Sequence, residues 1–190
     1  MGKGNLSRAM TALTLVIGVL LLAPMVSSLP TGIGGSSIQT AGCNCHNSFA
    51  DSSVSANIEG LPEEYNASET YELVISFDGG PSQAGNINLG GFNLWASEGT
   101  FAPTDGLTSL WAGSVNEVVH TEAGNDYTSW VVDWTAPESG KSVDFILHVN
   151  SVNGDGLQTG QLDQWNRATF TVQSSFGLSL IHISEPTRPY

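Results

Sequence analysis

The sequence predicts an all-β protein, a β-sandwich of about seven to eight short strands. Two observations carry that expectation. Apolar residues recur at every second position in one segment after another, which is the period of a strand with one buried face. Clusters of Gly, Pro, Asn and Asp separate those segments, and beyond the N-terminal apolar run no stretch keeps a 3.6-residue apolar period for three turns.

The first strand is read from Val54, Ala56 and Ile58, and the second from Tyr71, Leu73, Ile75 and Phe77 with Glu72, Val74 and Ser76 between them. Further strands are expected at Gly91 to Ala96, Ser114 to His120, Ser129 to Trp134, Val143 to Val149 and Ala168 to Val172. Turn chemistry lies between them at Asp78-Gly79-Gly80-Pro81, Asp105-Gly106, Pro137-Glu138-Ser139-Gly140 and Asn153-Gly154-Asp155-Gly156. Short strands joined by polar turns in this number fit an immunoglobulin-like or fibronectin-like sandwich. The antibody-type inter-sheet disulfide is absent, because the two cysteines are nearly adjacent in sequence. The domain is expected to run over residues 43–173.

The ends of the chain read differently. Lys3 and Arg8 precede an uncharged apolar run from Ala9 to Val26, closed by the small residues before Leu29, so residues 1–28 read as a secretory signal cleaved after Ser28. The alternative is an uncleaved signal helix, since about 18 apolar residues approach the spanning minimum. Both readings put the rest of the chain outside the cytoplasm, secreted or attached to the cell surface. Residues 29–42, rich in Gly and Ser, read as a flexible leader. Residues 178–190 resemble the conceptual translation of a sequencing adapter rather than native protein, so the native sequence is expected to break off near Phe176, with a further domain or a C-terminal anchor as what would follow, and His182 has no weight.

Charge narrows the partners. Of the 18 Asp and Glu, all but Glu185 lie between Cys43 and Phe176, against only Lys141 and Arg167. Such a surface repels nucleic acid and anionic headgroups, so membrane contact is expected only through an uncleaved signal or a missing anchor. The expected partner is a redox protein or another surface protein of unknown identity.

One cluster is dense in chemistry: Gly42-Cys43-Asn44-Cys45-His46. Cys-X-X-Cys-His is the attachment sequence of haem c, in which two thiols form thioethers and the adjacent His ligates the iron. Here the spacer is one residue instead of two. Three readings stay open on the residues alone: haem, a local Cys43-Cys45 disulfide, and a copper or zinc site of thiolates and imidazole.

The chain resembles the choice-of-anchor V domain family, Reeler-like exported β-sandwich modules. The resemblance rests on this cluster, on Gly60-Leu61-Pro62, Tyr71-Glu72-Leu73, Gly91-Phe92-Asn93-Leu94, Gly99-Thr100-Phe101 and His120-Thr121, on Trp130 through Pro137, and on Val149 through Gly156. It spans nearly all of Gly42 to Val172. Members carry the full Cys-X-X-Cys-His sequence, so the resemblance implies haem c held by Cys43 and Cys45, with His46 as proximal ligand and His120 as the opposite axial ligand. The shortened spacer departs from that pattern at the point where two-bond attachment is decided.

Other candidates are weaker. His148 follows Phe145 and Leu147 in alternation, so it is expected on the solvent face. The five tryptophans are expected as packing residues, one or two of them near a haem crevice. Asn153, Asp155 and Asp163 form an oxygen-rich loop that suggests calcium without matching a full calcium-loop pattern. Thr40-Ala41-Gly42-Cys43 lies too far past the apolar run for a lipoprotein cleavage box. No nucleophile elbow, zincin helix or phosphate loop is present, so catalysis is not expected. The leading expectation is an exported haem c-binding module for electron transfer. Its alternatives are a cell-surface adhesion or structural module with a local disulfide, and a copper or zinc protein.

Overall fold

The computed structural model describes residues 30–138, 140–155 and 162–175. The signal read at 1–28, the uncleaved-helix alternative and residues 178–190 lie outside them. The described chain is an all-β sandwich of two sheets. A short helix, α1 (Ser36–Ala41), is followed by β1 (Val54–Glu59), β2 (Glu64–Tyr65), β3 (Thr70–Gly79), β4 (Gly90–Ala96) and β5 (Thr100–Pro103). Then come β6 (Thr108–Leu110), β7 (Glu117–His120), β8 (Ser129–Thr135), β9 (Val143–Ser151) and β10 (Gln164–Ser174). One sheet has the order β1-β3-β8-β5, and the other β2-β10-β9-β4-β7-β6. All pairings are antiparallel except that of β2 with β10.

Alternation builds the core as expected. Leu73, Ile75 and Phe77 of β3 and Trp130, Val132 and Trp134 of β8 are buried against Phe92, Leu94, Val118, Phe145, Leu147 and Val149 from the other sheet. Each such side chain contributes about 1.5–3 kcal/mol when fully buried. The aromatic members interlock: Trp134 meets Phe145 edge-on at 4.9 Å between ring centroids, and Phe92 lies 4.8 Å from Trp130. The indole of Trp130 donates to the Gly124 carbonyl at 2.8 Å, so its one polar atom is not stranded in the core.

Each expected strand segment is a strand, although the fourth begins later than read: Val115 and Asn116 form a turn, and β7 starts at Glu117. The additional strands β2, β5 and β6 are two to four residues long, too short to display a period.

Two expectations change. The stretch read as a flexible leader is folded onto the six-stranded sheet from residue 30 onward. Gly32 N–H donates to the His120 carbonyl at 3.0 Å, Ile33 carbonyl accepts from Asn93 Nδ2 at 3.1 Å, Gly35 N–H donates to Glu117 Oε1 at 2.8 Å, and Ile38 of α1 is buried. Its glycines serve close approach rather than freedom, because a Cβ on Gly32 or Gly34 would overlap Val119 or Trp111.

His148 is the second change. It does face away from Phe145 and Leu147, yet it is fully buried. The reason is that this outer face is covered: Trp165 of β10 lies against the imidazole at 6.3 Å between ring centroids, and Trp165 in turn lies under Gly42. Neither ring nitrogen of His148 has a hydrogen-bond partner among the described residues. Burial, and secondarily the charge of Arg167 beside it in register, pushes its pKa from 6.5 down to about 4.

That depression links stability to acid. A neutral buried imidazole contributes stability that is complete above the ordinary value near 6.5 and is lost as the pH falls toward about 4. The expected outcome is a urea-unfolding midpoint that falls steadily across that window in the wild type and less steeply in a His148→Leu variant. Equal slopes in the two proteins would show that His148 does not titrate from a buried neutral state.

Candidate functional site

The site is built on a glycine. Gly42 has φ +64°, a left-handed conformation, and a Cβ there would overlap the six-membered ring of Trp165. Without a side chain the backbone passes directly over the indole, and the indole N–H fixes the next loop by donating to the Asn47 carbonyl at 2.7 Å. Between these two points the chain makes a tight turn, with His46 N–H donating to the Cys43 carbonyl at 2.9 Å. Cys43, Cys45 and His46 are thereby presented on one turn against the end of β10.

That turn forms one wall of a cavity of about 430 Å³. Gly32, Ile33 and Ile38 of the N-terminal segment form another wall. The start of β4 supplies Gly91 and Phe92, and the end of β7 supplies His120. The Cys43, Cys45 and His46 turn and His120, far from it in sequence, therefore line one space, and its volume falls within the range of cofactor and ligand sites.

His120 ends β7 and is held on several sides. Its ring lies over Gly91, where any Cβ would overlap it, and it tilts against Phe92 and Trp130. Nδ1 lies 3.0 Å from the Phe92 nitrogen and 3.2 Å from the Phe92 oxygen. It can accept from the amide or donate to the carbonyl, and the second choice leaves Nε2 unprotonated. Burial is the main cause that lowers the His120 pKa. The Phe92 bond opposes it, and the charge of His46 across the cavity lowers it further.

His46 is fixed by a residue that sequence reasoning assigned elsewhere. Its Nδ1 lies 2.8 Å from Oδ2 of Asp163, which is fully buried. The other oxygen of Asp163 accepts from Asn153 N–H at 3.2 Å. Asn153 and Asp155 are occupied with each other: Asn153 Nδ2 donates to Asp155 Oδ2 at 2.9 Å, and Asp155 N–H donates to Asn153 Oδ1 at 3.1 Å. The three oxygen-bearing residues read as a calcium loop thus share a loop, but Asp163 turns to His46 instead of joining the other two. Its position immediately before β10 gave no sequence signal of that role.

Both cysteines are free thiols, Cys43 half-buried and Cys45 exposed, so the local disulfide is not formed here. Burial, and secondarily Cys45, pushes the Cys43 thiol up to about 12. Among the described residues no three His, Cys, Asp or Glu side chains converge to hold a metal ion.

The buried polar atoms around the cavity are not all paired. Asn93 gives both hydrogens of its amide away, to Ile33 and Glu117, while its Oδ1 and that of Asn150 have no partner among the described residues. Both residues line the cavity. Unpaired buried acceptors of this kind mark a place where water or a ligand completes the structure.

No family model matches this chain. No curated protein matches its sequence either. Among solved structures it is similar to the Reelin-N domain of F-spondin, with a TM-score of 0.42 and 22% identity over 66% of this chain and 88% of that one. It is similar also to the human F-spondin reeler domain (fragment 1), with a TM-score of 0.41, 22% identity and coverage of 66% and 90%. A third likeness is to AggA, the major subunit of aggregative adherence fimbriae type I from Escherichia coli, with a TM-score of 0.39, 10% identity and coverage of 66% and 96%. The sandwich assignment stands on the chain's own two sheets.

Gly91 provides a direct check on the site's geometry. Gly91→Ala is expected to push the His120 ring from its place, break its contact with the Phe92 backbone and cost about 1–3 kcal/mol of stability, as overpacking does. Proton exchange at the Phe92 amide and the His120 ring resonances report the change. Ring resonances unmoved by the added methyl would rule out the stacking of His120 on Gly91.

Proposed function

We propose that the protein is an exported haem c-binding module that transfers electrons, with Cys43 or Cys45, or both, attaching the porphyrin and His46 and His120 as the axial pair. The observation that carries this reading is the meeting of all four residues around one cavity, although His120 lies on a different strand and far from the cluster in sequence. The donor set fits the group. A porphyrin supplies four of the iron's ligands itself, so the protein need offer only two imidazoles from opposite sides. A bare zinc or copper ion would instead need three or four side chains converging on a point.

The remaining parts of the site favour a flat, largely apolar occupant. Phe92, Ile33 and Ile38 give apolar wall. The depressed pKa of His120 keeps its ring neutral, the form in which an imidazole ligates. A haem with both axial positions taken by imidazoles supplies one-electron transfer. The protein's own contribution is to hold the two rings and to line the cavity with Ile33, Ile38 and Phe92. The export signal read in the sequence supports this placement, because haem thioethers are made outside the cytoplasm.

The test is expression through a secretion pathway with cytochrome c maturation, followed by visible spectroscopy and intact mass. A Soret band, with haem mass retained after denaturation, is the expected result, and His120→Ala should shift the spectrum. Single Cys43→Ser and Cys45→Ser variants identify which thiol carries the bond. A colourless protein of unmodified mass would sink the proposal and leave a surface adhesion or structural module as the reading.

A further inference from the structure

The contact between His46 and Asp163 does more than tie two loops together. Asp163 is fully buried, and a buried ionised carboxylate must be matched by donors because it has lost its water. Its two oxygens are matched separately. Oδ1 takes the Asn153 N–H at 3.2 Å, and Oδ2 takes His46 Nδ1 at 2.8 Å. The backbone amide cannot give up its hydrogen or move away, so the carboxylate is held in one orientation.

A carboxylate only accepts, so Nδ1 must be the atom that donates. A neutral imidazole carries a single ring proton, and with that proton on Nδ1 the lone pair is left on Nε2. We propose that Asp163 is the positioning residue of His46: it fixes the Nδ1–H tautomer and leaves Nε2 as the ring's one free donor atom in the cavity. The loop is braced from the same strand a second time, since Asn47 Nδ2 donates to the Asp163 carbonyl at 3.5 Å and Trp165 Nε1 donates to the Asn47 carbonyl. Ring orientation and tautomer are thus both set by the residues that open β10.

What Nε2 then binds rests on the haem reading above, whereas the tautomer does not. If iron is the occupant, the carboxylate behind the ring strengthens the imidazole as a ligand, as acceptors behind ligating histidines do. It then lowers the reduction potential.

Asp163→Asn separates the alternatives because it keeps the shape and changes the chemistry. Asn153 N–H still claims the side-chain oxygen, so the amide nitrogen faces His46 and presents a hydrogen where an acceptor stood. Nδ1 must then accept, and the proton moves to Nε2. The experiment is long-range proton–nitrogen correlation on protein labelled with nitrogen-15 at histidine, without haem and with the imidazole neutral. The wild type is expected to show His46 mainly as the Nδ1–H form and Asp163→Asn mainly as the Nε2–H form, with His148 unchanged as an internal control for folding.

A wild-type His46 in the Nε2–H form overturns the proposal whether or not the variant folds, and so does a folded variant with the wild-type tautomer. In haem-loaded protein the same variant is expected to raise the midpoint potential. A wild type that takes up no haem but shows the expected tautomers would remove the haem reading and leave the positioning role standing. Haem uptake with a tautomer indifferent to residue 163 would do the reverse.

Discussion

A buried carboxylate on the outer face of the six-stranded sheet organises much of this molecule. Glu117 of β7 is 5% exposed and receives two hydrogens, one from Asn93 Nδ2 on the adjacent strand β4 and one from the backbone of Gly35 in the N-terminal segment. A carboxylate in that position without donors would cost several kcal/mol, and a surface strand would not normally carry one inward under cover. The segment before α1 is therefore not an accessory to the sandwich. It supplies the amide that Glu117 needs, and in return its own carbonyl at Ile33 is satisfied by Asn93. Polar satisfaction, more than apolar area, holds the leader down, which is why a stretch so rich in Gly and Ser can still be part of the fold.

Once the leader is seated, the cavity follows. The segment runs along one side, α1 adds Ile38, and at the end of α1 the chain must cross Trp165 to reach β1. Gly42 makes that crossing possible, and the cluster of Cys43, Cys45 and His46 begins at the next residue. On the far side Gly91 gives up its side-chain space to His120. The two glycines act as matched vacancies, one for an indole and one for an imidazole, and both lie at ends of elements where the sheet opens. Substituting Gly42 would first disturb Trp165 and the Cys turn, and substituting Gly91 would first displace His120, which packs on the core residues Phe92 and Trp130.

The parts of this arrangement that were legible in the sequence are those governed by period. Strands such as β3 and β8 bury one face along a regular pleat, so Leu73, Ile75 and Phe77, or Trp130, Val132 and Trp134, announce themselves by alternation. The same rule gave the correct face for His148 and the wrong environment. Alternation says which side of a sheet a residue occupies, and it is silent about whether something covers that side. The covering layer here is made of residues with no period of their own, the leader and the Cys turn, so its presence left no pattern to read. Cys43, Cys45 and His46 were found because the cluster is dense in chemically rare residue types, whereas His120 was singled out through the family resemblance. Asp163 was noticed as an oxygen ligand, but its pairing with His46 spans 117 positions, and a single acidic residue in an acidic chain carries no signal of its partner.

The chemical readings of the Cys-X-Cys-His cluster make different demands on this geometry. Two thiolates and two imidazoles could in principle bind a bare cation, but that requires the cysteines to lose their protons and all four groups to meet at one point. Among the described residues the side chains line a space of about 430 Å³, and no three of them close on a point. A Cys43-Cys45 disulfide would use the thiols and leave His46, its buried carboxylate and the neutral His120 without a purpose in common. On the proposed haem reading, Cys43 and Cys45 would attach the porphyrin, Asp163 would orient His46 as one ligand from behind, and the lowered pKa of His120 would suit it as the other. The one-residue spacer then matters for how many bonds are made to the cofactor's rim. It matters less for the axial pair, because His46 is positioned by its contact with Asp163 and by the turn, and not by the spacing of the cysteines alone.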